Sequence, residues 1–172
     1  MLEIEIKAYC DNHTEVLRRL KSLGGAFQEK ILEHDVYYNH PCRDFAQTDE
    51  ALRTRSIDKK SFLTYKGPKL DRMTKTRVER EVEFRDVETV MCILAELGFT
   101  TVDTVDKERV VYLLNDITVC LDTVYELGTF VELEKLGDDK ENIERELFDW
   151  ASKLGLSRFE TRSYLELKLL AR

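Results

Sequence analysis

Apolar and charged residues alternate through the first residues of the chain. Leu2, Ile4 and Ile6 fall in one phase, and Glu3, Glu5 and Lys7 in the other. A strand sends successive side chains to opposite faces, so residues 2–8 read as a strand with one greasy and one charged face. The period then changes. Asp11-Asn12-His13-Thr14 offers caps, and Val16, Leu17, Leu20 and Leu23 recur at helical spacing until Gly24-Gly25 stops the helix. Phe27 to Asn39 alternates loosely and is rich in Val, Ile and Tyr, which predicts a long strand. Pro41 to Glu50 reads as a polar loop. Ala51–Ile57 and Ser61–Lys66 form a hairpin around Asp58-Lys59-Lys60, and Gly67-Pro68 breaks the chain into a basic loop. Lys75–Phe84 is a strand. Asp86 caps a helix carrying Val87, Val90, Met91, Leu94 and Leu97, ended by Gly98. Strands near 103–113 and 117–124 meet at Asn115-Asp116, and Phe130–Lys135 is the last clear strand. Asp138 or Asp139 starts a helix through Ile143, Leu147, Trp150 and Leu154, ended by Gly155. The tail from Ser163 to Ala171 fits a strand or a helix.

Charges keep to one phase on strand after strand. The hairpin shows Arg53 and Arg55, then Thr64 and Lys66. The next strand sets Arg77, Glu79, Glu81 and Glu83 against Val78, Val82 and Phe84. Lys107 and Arg109 oppose Val110 and Tyr112. Thr118, Cys120 and Asp122 alternate with Val119 and Leu121, and Glu132 and Glu134 with Val131 and Leu133. A weak internal repetition accompanies this: Glu3-Ile4-Glu5, Glu81-Val82-Glu83 and Glu132-Leu133-Glu134 each precede a helix. Many antiparallel strands with about three helices predict an α+β fold, with a sheet closed or nearly closed on itself and helices covering the outside or the ends. In a small barrel one phase points into the lumen. An apolar lumen would leave three amphipathic helices little to cover. An apolar exterior beneath the helices makes the lumen a tunnel lined by both signs of charge. Such charges must be paired or bind ions.

Composition narrows the partners. The chain has 172 residues, 20.2 kDa, and reads as one domain over 1–172. A net charge of −7 argues against a broad basic patch for duplex nucleic acid. It leaves room for a phosphate ligand, because bound divalent metal reverses a local field. No apolar run is long enough to span a bilayer and no signal peptide is legible, so a cytoplasmic location without membrane attachment is expected. Cys10, Cys42, Cys92 and Cys120 lie far apart and predict neither zinc site nor disulfide framework. The three histidines form no metal set. Gly67-Pro68-Lys69 lacks the glycine spacing of a Walker loop, and no Ser/His/Asp or Cys/His nucleophile arrangement is visible. Tyr37-Tyr38 reads as core. What remains is clustered carboxylate, suited to Mg²⁺ or Mn²⁺, and separate Lys/Arg strands, suited to phosphate oxygens.

The set Glu3-x-Glu5-x-Lys7, Asp35-x-Tyr37, Leu52-Arg53-x-Arg55, Leu63-Thr64-Tyr65-Lys66-Gly67-Pro68 and Arg77-x-Glu79-x-Glu81-x-Glu83 resembles a known family in order along the chain. Lys107-x-Arg109, Val119-Cys120-Leu121-Asp122, Gly128-x-Phe130-Val131-Glu132-x-Glu134 and Ser163-Tyr164 complete it. The family is the CYTH, or triphosphate tunnel metalloenzyme, group, and the likeness is strongest to class IV adenylyl cyclase-like proteins. The resemblance implies an α+β fold built on an eight-stranded antiparallel closed β-barrel, the triphosphate tunnel, with helices packed outside, dependence on Mg²⁺ or Mn²⁺, and a small-molecule substrate bearing a triphosphate. By motif, Glu3, Glu5, Glu132 and Glu134 match the metal-binding carboxylates. Lys7, Arg53, Arg55, Lys66, Arg77, Lys107 and Arg109 match the phosphate clamp. Glu81, Glu83 and Asp122 are similar to further lumen acids and, with Lys7, make up the catalytic set the likeness implies. Two activities are expected of such a site: cyclisation of ATP to cyclic AMP and pyrophosphate, or hydrolysis of tripolyphosphate, thiamine triphosphate or a nucleoside triphosphate. Class IV cyclases often carry a His-Phe pair just before the first motif; no such pair precedes Glu3 in this sequence, which favours hydrolysis. A non-catalytic phosphate-binding domain is a third reading, and a homodimer is a plausible state.

Overall fold

In the computed structural model, which describes residues 2–70 and 77–172 with backbone alone at residue 2, the charged phase faces inward. Its strands are β1 (Leu2–Tyr9), β2 (Ala26–Asn39), β3 (Ala51–Ile57), β4 (Lys60–Lys69), β5 (Arg77–Phe84), β6 (Thr100–Leu114), β7 (Ile117–Val124) and β8 (Gly128–Gly137). Its helices are α1 (His13–Ser22), α2 (Phe45–Thr48), α3 (Val87–Glu96), α4 (Lys140–Lys153) and α5 (Tyr164–Leu170). All strand pairs are antiparallel and the ring closes in the order β1-β5-β4-β3-β2-β6-β7-β8. This is the expected α+β barrel. Lys75 and Thr76, at the head of the expected Lys75–Phe84 strand, lie outside the described residues.

The apolar phase supplies an outer core. Ile4, Ile6 and Ala8 of β1, Val119 and Leu121 of β7, and Val131 and Leu133 of β8 are buried against Val16 and Leu20 of α1 and Ile143, Leu147 and Ala151 of α4. Burying a Leu or Ile side chain is worth roughly 1.5–3 kcal/mol, and those positions fix which face of each strand turns inward. A second outer core joins Val36 and Tyr38 of β2 and Leu52 of β3 to Leu94 of α3 and Phe45. The helix ends follow the sequence signals. Asn12, Asp86 and Asp139 accept from backbone N–H groups as N-caps, and Gly98 and Gly155 take the left-handed conformation just past α3 and α4.

Three elements depart from the sequence reading. The polar loop contains the one-turn helix α2, capped by the Asp44 side chain on Ala46 N and closed by Asp49 at φ 55°. β4 does not stop at Lys66. It continues through Gly67-Pro68 to Lys69, and the β4–β5 register shifts between Lys66 and Lys69. A bulge is where a strand tolerates a proline, which has no N–H to give the ladder. The tail is a helix, α5, set by a capping box: Ser163 Oγ accepts from Glu166 N and Glu166 Oε2 accepts from Ser163 N. α5 does not lie on the outside with α1, α3 and α4. Tyr164 and Leu167 pack on Tyr37, Val105, Val124 and Phe130, all in the inward phase, and so plug one end of the barrel.

Candidate functional site

The lumen is a cavity of about 430 Å³ bounded by the barrel walls, α2 and α5. That volume is in the range of small-molecule sites. Glu3, Glu5, Glu79, Glu81, Glu132 and Glu134 line it, as do Arg53, Arg55, Lys66, Arg77, Lys107 and Arg109. Eleven residues expected to act at the site share this one cavity only because the strand phase is kept around the ring.

The carboxylates come from neighbouring strands. β1 pairs with β8, with Glu5 opposite Glu134, Glu3 opposite Leu136 and Lys7 opposite Glu132. Like charges placed opposite on a sheet repel. Burial, and then Glu3, Glu5 and Glu132, push the Glu134 carboxyl up to about 8, against the pull of Arg109. Burial also raises Glu3, with Glu79 and Glu5 adding to it and Lys66 and Arg53 opposing. Glu81 accepts from Thr64 Oγ1 at 2.8 Å, and Glu79 pairs with Lys66 at 2.6 Å.

The bases are handled differently. Asp35 and Glu33 of β2 stand among them. Arg55 makes a two-pronged contact with Asp35, Nε to Oδ1 at 2.6 Å and Nη2 to Oδ2 at 2.7 Å, and reaches Glu33 at 2.9 Å. Arg53 lies 3.5 Å and Lys107 3.7 Å from Asp35, and Lys107 also pairs closely with Glu33. Burial alone would raise Asp35. Arg53, Lys107 and Arg55 overcome it and hold the carboxyl well below its usual range. Burial lowers Lys107, and the neighbouring Arg55 and Arg109 lower it further. These buried acids were absent from the expected site. Their signal was present in the alternation Glu33-His34-Asp35, in phase with Tyr37.

Three expected site residues lie off the cavity wall. Lys7 is buried at the plugged end, donates to the Arg162 carbonyl, and sits 4.1 Å from the centre of the Tyr164 ring. Asp122 is fully buried behind Arg109. It receives Arg109 Nε at 2.7 Å and Nη2 at 2.6 Å, and the Tyr164 hydroxyl at 2.7 Å. Glu83 is exposed, beyond the end of the cavity. Arg109 Nη2 also contacts Glu132 and joins the two halves of the lumen. Burial, followed by the negative charge of Glu132 and Asp122, pushes the Tyr164 hydroxyl well above its ordinary value, so it stays a donor.

Chemically, the wall pairs hard oxygen donors with forked guanidinium donors at close quarters. The acids Glu3, Glu5, Glu132 and Glu134 could hold a divalent cation, and the bases could hold an anion. Part of the lining has a different character: Phe45, Ala46, Val102, Leu165 and Leu169, with Asn39 and Asp44, also border the cavity. Among the described residues, no helix is long and apolar enough to cross a membrane.

Comparison with known proteins agrees with this geometry. The sequence model of the CYTH domain matches residues 1–164. A Methanocaldococcus jannaschii protein called "Putative adenylate cyclase MJ0240" is 42% identical over 173 residues, covering 98% of this chain and 99% of that protein. Among solved structures, PH1819 of Pyrococcus horikoshii superposes with a TM-score of 0.89 at 42% identity, covering 99% of both chains. HpAC1 of Hippeastrum, whose structure is reported to reveal a dominant triphosphatase activity, shares the fold at a TM-score of 0.72 and 19% identity, over 99% of this chain and 96% of its own.

Proposed function

From the premise that the chain belongs to the CYTH domain family, we propose that it is a divalent-metal-dependent enzyme acting on a triphosphate-bearing substrate inside the barrel, as a class IV-type adenylyl cyclase. The observation that carries the reading is one lumen holding the carboxylate pair Glu5 and Glu134 beside the cations Arg53, Arg55, Lys66, Lys107 and Arg109. The donor set fits Mg²⁺ or Mn²⁺. Burial, and then the negative charge of Glu3, Glu5 and Glu132, push the Glu134 carboxyl up to about 8, an effect that a bound cation would oppose. Among the described residues no three acid, His or Cys side chains converge as a ready cage. Mg²⁺ commonly needs only one or two carboxylates and completes its shell with water and substrate phosphate. Glu3, Glu5, Glu132 and Glu134 would hold the ion, which would neutralise phosphate charge and polarise phosphoryl oxygens.

The chain's own residues do the positioning. Arg109 and Lys66 already bridge to carboxylates and so place phosphate oxygens beside the acids. Arg53, Arg55 and Lys107 form the far wall of the clamp. The cyclisation is an attack by the ribose 3′-oxygen on the α-phosphorus, with loss of its proton and departure of pyrophosphate. It draws mainly on orientation and charge neutralisation, the two things this lumen supplies. The part of the cavity lined by Phe45, Val102, Leu165 and Leu169 offers an organic group an apolar wall, which supports a nucleotide over bare tripolyphosphate.

A second reading, triphosphate hydrolysis, is favoured by the activity reported for HpAC1 on the same fold. Incubation with ATP, tripolyphosphate and thiamine triphosphate, each with Mg²⁺ or Mn²⁺, separates the two. Cyclic AMP with pyrophosphate establishes the cyclase, and orthophosphate establishes the hydrolase. No product from any of the three refutes both.

A further inference from the structure

α5 is more than a stopper. Its first residue reaches through a buried acid to a cation of the tunnel wall. Tyr164 Oη donates to Asp122 Oδ2 at 2.7 Å, and the same carboxylate takes Arg109 by Nε and Nη2 at 2.7 and 2.6 Å. The Arg109 Nη2 group is shared with Glu132. Asp122 and Glu132 thus occupy one side of the guanidinium fork and leave Nη1 as the group those two acids do not use. A planar guanidinium held along one edge cannot swing about its Cδ–Nε bond without breaking these contacts. The hydroxyl of Tyr164 fixes the acid that fixes the fork.

The helix that brings Tyr164 is anchored separately. Lys168 Nζ donates to the Thr104 carbonyl at 2.9 Å and pairs with Glu126 at 2.9 Å, and Arg172 pairs with Asp103 at 2.7 Å. The Tyr164 ring is also clamped, by Phe130 at 5.1 Å between centroids and by the Lys7 ammonium at 4.1 Å. The ring's place does not depend on its hydroxyl. A packing residue at this spot could be phenylalanine; the hydroxyl adds the bond to Asp122.

We propose that Tyr164 and Asp122 are positioning residues that orient Arg109 toward the phosphate chain of the substrate, so that the plug helix α5 is part of the substrate clamp. The inference rests on the triphosphate reading for what Arg109 holds, and on geometry alone for what holds Arg109.

The test is a cycle of Tyr164→Phe and Arg109→Lys, singly and together, on the full chain. One readout is the apparent affinity for tripolyphosphate with Mg²⁺, taken as KM where it is turned over and as a calorimetric Kd where it is not. Tyr164→Phe weakens affinity about 5- to 10-fold in the native background and less than about 2-fold when residue 109 is lysine, because groups acting in series are not additive. The other readout is the ¹⁵N resonance of Arg109 Nε, identified by its loss in Arg109→Lys. It shifts and broadens in Tyr164→Phe. Equal fold-changes in both backgrounds, or an unmoved Nε resonance, overturn the proposal. If the native protein neither binds nor turns over tripolyphosphate, the functional reading falls and the Nε resonance still decides the positioning. Should Tyr164→Phe fail to fold, Asp122→Asn, which keeps an acceptor for Tyr164 but loses the charged fork, is read by the same resonance.

Discussion

Replacing Asp35 with asparagine isolates how the cationic half of the tunnel is held together. Asp35 is 1% exposed and meets Arg55 twice, at 2.6 and 2.7 Å, with Arg53 at 3.5 Å and Lys107 at 3.7 Å. Asparagine keeps the shape and one acceptor oxygen but removes the charge. Glu33 would then stand alone against three buried cations. Breaking a buried pair by removing one partner costs about 3–5 kcal/mol. With Glu33 retained and one hydrogen bond to Arg55 preserved, the lower end applies, about 3 kcal/mol. The assay is urea unfolding of the metal-free protein at pH 7. The sign with pH is fixed. A carboxyl held below its unfolded value stabilises above that value and loses the contribution as pH falls toward the folded one. The gap between native protein and Asp35→Asn therefore stays full from pH 7 to about 5 and narrows only below about pH 4, near the ordinary aspartate value. Function gives a second signature. The variant leaves the clamp with excess positive charge, so inorganic phosphate raises its unfolding midpoint more than that of the native protein. A loss under about 1 kcal/mol, or an equal response to phosphate, would show that the acids of β2 do not hold the clamp.

Two further predictions address the other half and the plugged end. Glu5→Ala and Glu134→Ala abolish turnover while circular dichroism and cooperative unfolding persist, because both side chains line a wet lumen; loss of the fold in both variants would refute the tunnel assignment. Glu160 is held at about 2, first by the hydrogen bond from the Arg162 side chain, then by Arg162 N–H and the Tyr9 hydroxyl, against the pull of burial. Its contribution is present above pH 4.5 and drains away as pH falls toward 2. Glu160→Gln therefore costs about 1–2 kcal/mol at pH 7, discounted because Arg162 is half exposed, and near nothing at pH 2; a loss that does not change between these pH values refutes it.

Much of the fold and part of the site were legible because a period of 2 has only one solution where one face must be buried. Ile4 and Ile6 against Glu3 and Glu5, and Val131 and Leu133 against Glu132 and Glu134, decide which residues enter the lumen. The same rule fails where both faces are buried. Val36, Tyr37 and Tyr38 are all buried, because α3 covers one face and α5 fills the lumen on the other. That double burial blurs the alternation of β2, so Asp35, although part of a recognised motif, and Glu33 were given no role at the site. α5 was ambiguous because Leu165, Leu167 and Leu169 satisfy a strand period while Tyr164, Leu167 and Ala171 satisfy a helical one. Phase also says nothing of depth along the tunnel. Lys7 has the phase of Glu5, yet it lies under Tyr164, because the reach of the plug is set by contacts 150 residues away in sequence.

The two halves of the lumen are built on opposite rules, and the contrast bears on function. On the cationic side nearly every charge has an answering acid: Asp35 and Glu33 serve Arg53, Arg55 and Lys107, and Asp122 serves Arg109. That arrangement makes rigid donors and lowers the net attraction for a free anion. On the acidic side Glu3, Glu5, Glu132 and Glu134 crowd together, and Glu134 is driven to about 8. A fold under no functional constraint would lose that crowding through a single glutamine. Strongly perturbed carboxyls facing a cavity mark functional sites more often than structural ones. The acids lining the cavity outnumber the bases, so a polyanion held there by the bases also meets repulsion from the acids. On the proposed reading it would arrive with cations that answer both the acids and its own charge. Crowded acids beside bases that already have answering carboxylates are the arrangement that the proposed metal–polyphosphate ligand would suit, the bases giving direction and the metal easing the crowding of the acids.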